Sequence, residues 1–125
     1  MARVLLVDDD EMVRYALAKA LRRAGHEVRE AASGAGVLEQ LRSDAIDILV
    51  TDLVMPDEEG IGLIRELRAA GEGLPIVAIS GGGRVSGEQY LRMASRLGAS
   101  ATLAKPFDHR ELIELIDRLA KNADR

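Results

Sequence analysis

Five short β-branched or aliphatic runs, Val4–Val7, Glu27–Ala31, Ile46–Thr51, Pro75–Ser80 and Ser100–Ala104, alternate with segments whose apolar residues recur at helical spacing. Runs of this length suit strands, and the intervening period of about 3.6 residues suits helices. In residues 10–24, Val13, Ala16, Leu17, Ala20, Leu21 and Ala24 fall on one helical face, and Gly25 follows where a C-terminal cap belongs. Ser33 can cap a second helix that runs to about Ser43. A third begins near Gly60 and stops before Gly71, and a fourth covers Gly87–Leu97, ended by Gly98. The fifth starts from Asp108 as N-cap and carries Leu112, Ile113, Ile116, Leu119 and Ala120 on one face. Five strand–helix pairs with short connections predict an α/β architecture: a doubly wound, five-stranded parallel sheet with five helices on its two faces.

The 125 residues suit one domain, read as residues 1–122 with a polar tail at 123–125, and the closing KNADR, residues 121–125, is expected to fray. Aromatic residues make up only 2 %, so the core must be built from Leu, Ile, Val and Ala. There is no cysteine, which excludes disulfides, thiolate chemistry and cysteine-based zinc sites. A net charge of −4 argues against direct nucleic-acid binding, where phosphate contacts dominate affinity. No apolar run approaches the roughly 20 residues that span a bilayer. The opening MARVLLVDDD is too short in its apolar part, and too quickly acidic, for a signal peptide. The expectation is a cytoplasmic chain without membrane contact.

In folds of this class ligands bind outside the C-terminal ends of the strands. There the first strand runs into Asp8 and Asp9, the third into Asp52, the fourth into Ser80 and the fifth into Lys105. A buried, unpaired carboxylate costs several kcal/mol or more, so acids at these positions need a partner or a task. Three converging acids repel one another and raise one another's pKa. A divalent cation resolves this: Mg²⁺ takes one or two carboxylates and keeps positions for water and phosphate oxygens. Lys105 adds a compact positive charge and Ser80 a hydroxyl donor. The set suits transfer of a phosphoryl group onto Asp52, with the metal and Lys105 neutralising its oxygens. Asp10 and Glu11 read instead as the acidic N-terminus of the first helix.

These segments resemble the receiver domains of two-component response regulators. LLVDDDE is similar to that family's paired-acid segment, and VTDLVMPDEEG to its phospho-acceptor segment, Pro56 and Gly60 included. VAISG is similar to its Ser/Thr segment and LAKPF to its Lys-Pro segment. The resemblance covers nearly the whole chain and implies a flavodoxin-like strand order 2-1-3-4-5. It implies that Asp52 accepts phosphate from a phosphohistidine, on a sensor histidine kinase or a histidine phosphotransfer protein. Asp8, Asp9, Asp52 and the backbone carbonyl of Val54 would hold Mg²⁺, and Ser80 and Lys105 would contact the phosphoryl group. The chain would then be no enzyme beyond catalysing its own phosphorylation and dephosphorylation, and would control an unidentified downstream protein. A cis Lys105–Pro106 bond is expected on the same grounds, because Lys105 must turn back over the site.

Two features depart from the family pattern. Thr102 stands three residues before Lys105, where an aromatic is common, and the segment SGGGRVSGEQY after Ser80 is long and glycine-rich. The expectation is that the Ser80–Gln89 loop, not residue 102, reads out activation. Met12, Tyr15 and Lys19 share a first-helix face away from the apolar stripe and suit docking of a kinase. His26 and His109 read as surface residues. The rival function is a small Mg²⁺-dependent phosphatase of the haloacid dehalogenase type, using the Asp8-x-Asp10 pattern; it leaves Asp52 without a role. A flavodoxin-like cofactor module lacks a phosphate-binding loop after the first strand. The length leaves no room for an output domain, which fits a stand-alone receiver or one cut from a longer regulator.

Overall fold

The computed structural model describes residues 1–53, 59–80 and 87–123. The strands are β1 (Arg3–Val7), β2 (Glu27–Ala31), β3 (Ile48–Asp52), β4 (Ile76–Ser80) and β5 (Ala101–Ala104). The helices are α1 (Glu11–Arg23), α2 (Val37–Ser43), α3 (Glu59–Ala69), α4 (Gly87–Leu97) and α5 (His109–Ala123). All strands pair in parallel in the order β2-β1-β3-β4-β5, the doubly wound topology expected. The central β3 and β4 are buried throughout, whereas the edge strands β2 and β5 are partly exposed. Strand side chains alternate between the two faces, so each strand feeds two cores. Leu5, Val7, Leu49 and Ala78 pack with Val37, Leu41, Ile64, Leu67 and Ala94 of α2, α3 and α4. Val4, Leu6, Val50 and Ile79 pack with Leu17, Ala18, Leu21, Leu112 and Ile116 of α1 and α5. Aliphatic residues and alanine supply both cores. Among the described residues no helix is long and apolar enough to cross a membrane.

Several boundaries differ from the sequence reading. β3 begins at Ile48 and not at Ile46, because Ile46 belongs to the closure of α2: its N–H bonds the Leu41 carbonyl across Ala45, which sits at φ +52°. The same six-to-one closure ends α1 at Gly25, α3 at Gly71 and α4 at Gly98. α2 starts at Val37 behind a left-handed Gly36, while Ser33 accepts the Ala35 N–H in a local turn and caps no helix. The buried stripe of α1 is Leu17, Ala18 and Leu21; Ala16 and Ala24 are exposed. Small alanines carry too little area to fix the rotation of a helix face. α5 continues through Ala123, so Lys121–Ala123 are helical and not a frayed tail.

His26 is a further correction. It is buried, with a side chain only 3 % exposed, and lies between the end of α1 and the start of β2. Its Nδ1 lies 3.0 Å from the Ala2 amide, which can only donate, so Nδ1 accepts. The ring hydrogen is then on Nε2, which donates to Asp117 Oδ1 at 2.8 Å. His109 is exposed, as expected.

Candidate functional site

The register brings the predicted residues together. Val7 pairs with Thr51, so Asp8 and Asp52 follow side by side at the ends of β1 and β3. Asp52 pairs with Ile79 and Ser80 with Ala104, which places Ser80 and Lys105 next along the same edge. The strand ends are tied by Leu53 N–H to Ile79 O and Lys105 N–H to Ser80 O, both at 2.8 Å. Gly60, in the first turn of α3, lies against this edge. A methyl built there would overlap the Asp52 carbonyl oxygen and approach Leu53 Cα to 2.6 Å, so no larger residue fits. The Lys105–Pro106 bond is cis, as expected.

Asp8, Asp52 and Ser80 are buried, whereas Asp9 is exposed beside them. One carboxylate oxygen from each of Asp8, Asp9 and Asp52 lies within 4.8 Å of the others. Lys105 Nζ donates to Asp52 Oδ2 at 3.1 Å and stands 3.7 Å from Asp8 Oδ2. Burial pushes the Asp8 carboxyl up from its ordinary 3.8; the Asp10 N–H it accepts opposes this, and the neighbouring Asp52 charge reinforces it. For Lys105, burial works against the ammonium. The hydrogen bond and charge of Asp52, helped by Asp8 and Asp10, outweigh it, and the net direction is upward. Ser80 Oγ is buried and has no hydrogen-bond partner among the described residues. A converging, largely buried all-oxygen acidic cluster fits a hard divalent cation, and a buried hydroxyl beside it with no described partner fits a ligand oxygen.

Some predicted features fall outside the described residues: the Val54 carbonyl, the Pro56 turn and the glycine-rich 81–86 stretch. Thr102 is half-buried on β5, paired with Ala78. Met12 and Tyr15 are exposed, at 83 % and 64 %, and Lys19 is exposed on the same helix. Asp10 lies at the N-terminus of α1 as foreseen, and more specifically it is the N-cap, accepting the Met12 and Val13 N–H groups. Arg14 was not singled out by the sequence pattern. Its Nη1 donates to the Asp8 carbonyl at 2.7 Å. The available signal was its position on the flank of the α1 stripe, one turn after the cap.

The comparisons agree with this geometry. The family model for the response regulator receiver domain matches residues 4–117. The chain is 35 % identical over 117 residues to the DNA-binding transcriptional regulator NtrC of Azospirillum brasilense, covering 94 % of this chain and 24 % of that protein. It is 39 % identical over 111 residues to the response regulator MprA of Mycobacterium ulcerans, covering 89 % of this chain and 47 % of that one. The crystal structure of the receiver domain of NtrX from Brucella abortus superposes with a TM-score of 0.84 at 29 % identity, over 94 % of this chain and 98 % of that one. The fold and the acid cluster thus define a phospho-acceptor signalling module. The chain belongs to the response regulator receiver family, and spans a quarter to a half of the length of these curated relatives. The haloacid dehalogenase reading finds no support.

Proposed function

We propose that Asp52 is the phosphoryl acceptor and that Asp8, Asp9 and Asp52, with the carbonyl of Val54, hold Mg²⁺. One observation carries this reading. Lys105 Nζ sits 3.1 Å from Asp52 Oδ2 while Asp8 and Asp9 converge on the same carboxylate. The donor is a phosphohistidine on a sensor histidine kinase or a histidine phosphotransfer protein. The P–N bond breaks toward the imidazole as an Asp52 oxygen forms the new O–P bond. Bound Mg²⁺ supplies charge neutralisation to the phosphoryl oxygens. Lys105 follows the charge: the acyl phosphate moves it from the carboxylate onto the phosphoryl group, where the ammonium re-pairs. Ser80 Oγ supplies a hydroxyl donor to a phosphoryl oxygen and so gains the partner it lacks among the described residues. The reaction modifies the chain itself and turns over no separate substrate. The phosphodonor protein docks on the exposed Met12–Tyr15 side of α1. There Glu11, Met12, Arg14, Tyr15 and Glu30 line a groove of about 450 Å³. The downstream partner reads the loop after Ser80.

The test is incubation with a small-molecule phosphodonor with and without Mg²⁺, followed by mass-spectrometric mapping. Label on Asp52, lost in Asp52→Asn and without Mg²⁺, is the expected result. Label on Asp8, or label that survives Asp52→Asn, overturns the assignment.

A further inference from the structure

Asp8 is held on three sides. Its N–H donates to Ala31 O of β2 at 3.1 Å, which extends the β1–β2 ladder by one residue. Its Oδ1 accepts the Asp10 N–H at 2.9 Å. Its carbonyl lies beyond the last strand pair and accepts instead from Arg14 Nη1 at 2.7 Å, a short, charge-assisted bond. The Arg14 side chain is only 16 % exposed, and its Nε lies 3.3 Å from Glu30 Oε1 on β2. Among the described residues that Nε makes no geometrically sound hydrogen bond, so Glu30 acts on it chiefly as a countercharge. Glu30 in turn lies 3.4 Å from Arg22, whose Nη2 also donates to Val28 O at 2.9 Å. The guanidinium of Arg14 is therefore anchored to the β2 edge on one side and aimed at the Asp8–Asp9 peptide on the other.

We infer that Arg14 is a positioning residue for cation binding: by gripping the Asp8 carbonyl it fixes the Asp8–Asp9 peptide plane, and so presents both carboxylates to one ion. This rests on the reading of Asp8 and Asp9 as cation ligands. Arg14 touches neither carboxylate and takes no part in the transfer itself. Glu30 has two effects in this arrangement. It orients the guanidinium and offsets a positive charge that would otherwise compete with the cation. Outer groups that orient metal ligands commonly change affinity by 10-fold or more.

The experiment measures Mg²⁺ affinity of the whole chain by calorimetry, on folded protein, alongside the Mg²⁺ dependence of Asp52 labelling. Arg14→Met keeps an unbranched apolar stem and removes every donor; it is expected to weaken Mg²⁺ binding about 10-fold. Arg14→Lys keeps a charge and one donor and is expected to fall between Arg14→Met and the wild type. With a small-molecule phosphodonor, which does not use the docking groove on α1, the labelling rate of both variants at saturating Mg²⁺ returns close to that of the wild type, so the Mg²⁺ midpoint moves and the maximum does not. A purely structural role moves the unfolding temperature and leaves the Mg²⁺ dissociation constant alone; that result in folded Arg14→Met overturns the inference. If Arg14→Met does not fold, Glu30→Gln decides: weaker Mg²⁺ binding supports the proposal and an unchanged constant overturns it. A wild-type chain that binds no Mg²⁺ removes the parent assignment and this one together. A wild type that binds Mg²⁺ while the variants bind it equally removes this one alone.

Discussion

The two ends of this sheet treat polar groups in opposite ways. At the N-terminal ends of the strands, buried and half-buried groups are matched. Ala2 N–H finds His26 Nδ1, and Ile76 and Ser100 exchange hydrogen bonds at 3.1 and 2.8 Å. Arg68 of α3 donates to Glu72 O, Leu74 O and Gly98 O, tying together the end of α3, the approach to β4 and the end of α4. At the C-terminal ends, Asp8 and Asp52 share the Lys105 ammonium with Asp9 alongside, and the Ser80 hydroxyl is buried without a described partner. The same strands run through both ends. The difference therefore lies in the residues at the strand tips, not in the fold. One end is closed on itself; the other keeps crowded charge and a buried hydroxyl without a described partner, as the proposed phosphoryl and cation chemistry requires. Sites of this kind are often less stable than their scaffold allows.

If that contrast is right, damage at the closed end costs stability and leaves the chemistry alone. Arg68→Ala is expected to have the largest effect, a loss of about 3 kcal/mol, because three carbonyls lose a charged donor at once. Burial already pulls the guanidinium pKa down, yet the fork keeps its cation paired with carbonyl dipoles. Arg68→Lys recovers only part of the loss, since one ammonium cannot span three acceptors in a plane. Urea unfolding measures both, and Asp52 labelling below the transition is expected to be unchanged. A loss under about 1 kcal/mol would mean that water replaces the fork, and the contrast would weaken. His26→Phe comes next, at about 2 kcal/mol, because it leaves the buried Ala2 N–H without its acceptor. Asp117→Asn is expected to cost well under about 1 kcal/mol, since Asp117 is 59 % exposed and Asn still accepts from Nε2.

At the open end the sign reverses. Asp8→Asn keeps the Oδ1 that accepts the Asp10 N–H and removes one of the crowded charges. With a chelator present it is expected to raise stability by about 1–2 kcal/mol at neutral pH, while Mg²⁺-dependent labelling collapses. The pH dependence follows from the raised Asp8 pKa. A carboxyl held above its unfolded value of 3.8 contributes stability that is full below 3.8 and is lost as pH rises through the folded pKa. The metal-free wild type is therefore expected to lose stability across that window, and Asp8→Asn to lose less. Lys105 acts far from there: its raised pKa contributes stability below 10.5 that is lost only as pH rises above that value. Denaturant midpoints against pH would test this, and equal slopes for the two proteins would contradict it.

The open end was the legible one. Acids, a hydroxyl and a lysine at the tips of aliphatic runs conflict with burial, and that conflict is visible residue by residue. The closed end was hidden because its partners meet only in the fold. Asp117 lies 91 residues from His26, and the Arg68 acceptors are loop carbonyls that no side-chain pattern marks. His26 did leave one trace: it directly follows the left-handed Gly25, the position whose residue packs back onto the closing helix. Arg14 was obscured differently, since an arginine on an amphipathic helix reads as solvated until its acceptor, a strand-end carbonyl, is known.

Ala45 separates strain from function. Ala45 closes α2 at φ +52°, in the role that Gly25, Gly71 and Gly98 fill for α1, α3 and α4. A left-handed L-residue costs about 1–2 kcal/mol relative to glycine in the folded chain. Glycine gains more entropy on unfolding than alanine, which offsets about 0.4–1 kcal/mol of that. The net expectation for Ala45→Gly is a gain of roughly 0.5–1 kcal/mol, read as a rise in the urea midpoint at constant slope. Ala45 precedes β3 at the end opposite Asp52, so Mg²⁺ affinity and Asp52 labelling are expected to stay at wild-type values. That would show the strain at Ala45 to be removable without cost, unlike the crowding at Asp8, whose relief is expected to abolish Asp52 labelling. A gain in stability accompanied by weaker Mg²⁺ binding would show that the closure of α2 reaches the site through β3, and the two ends would no longer be independent.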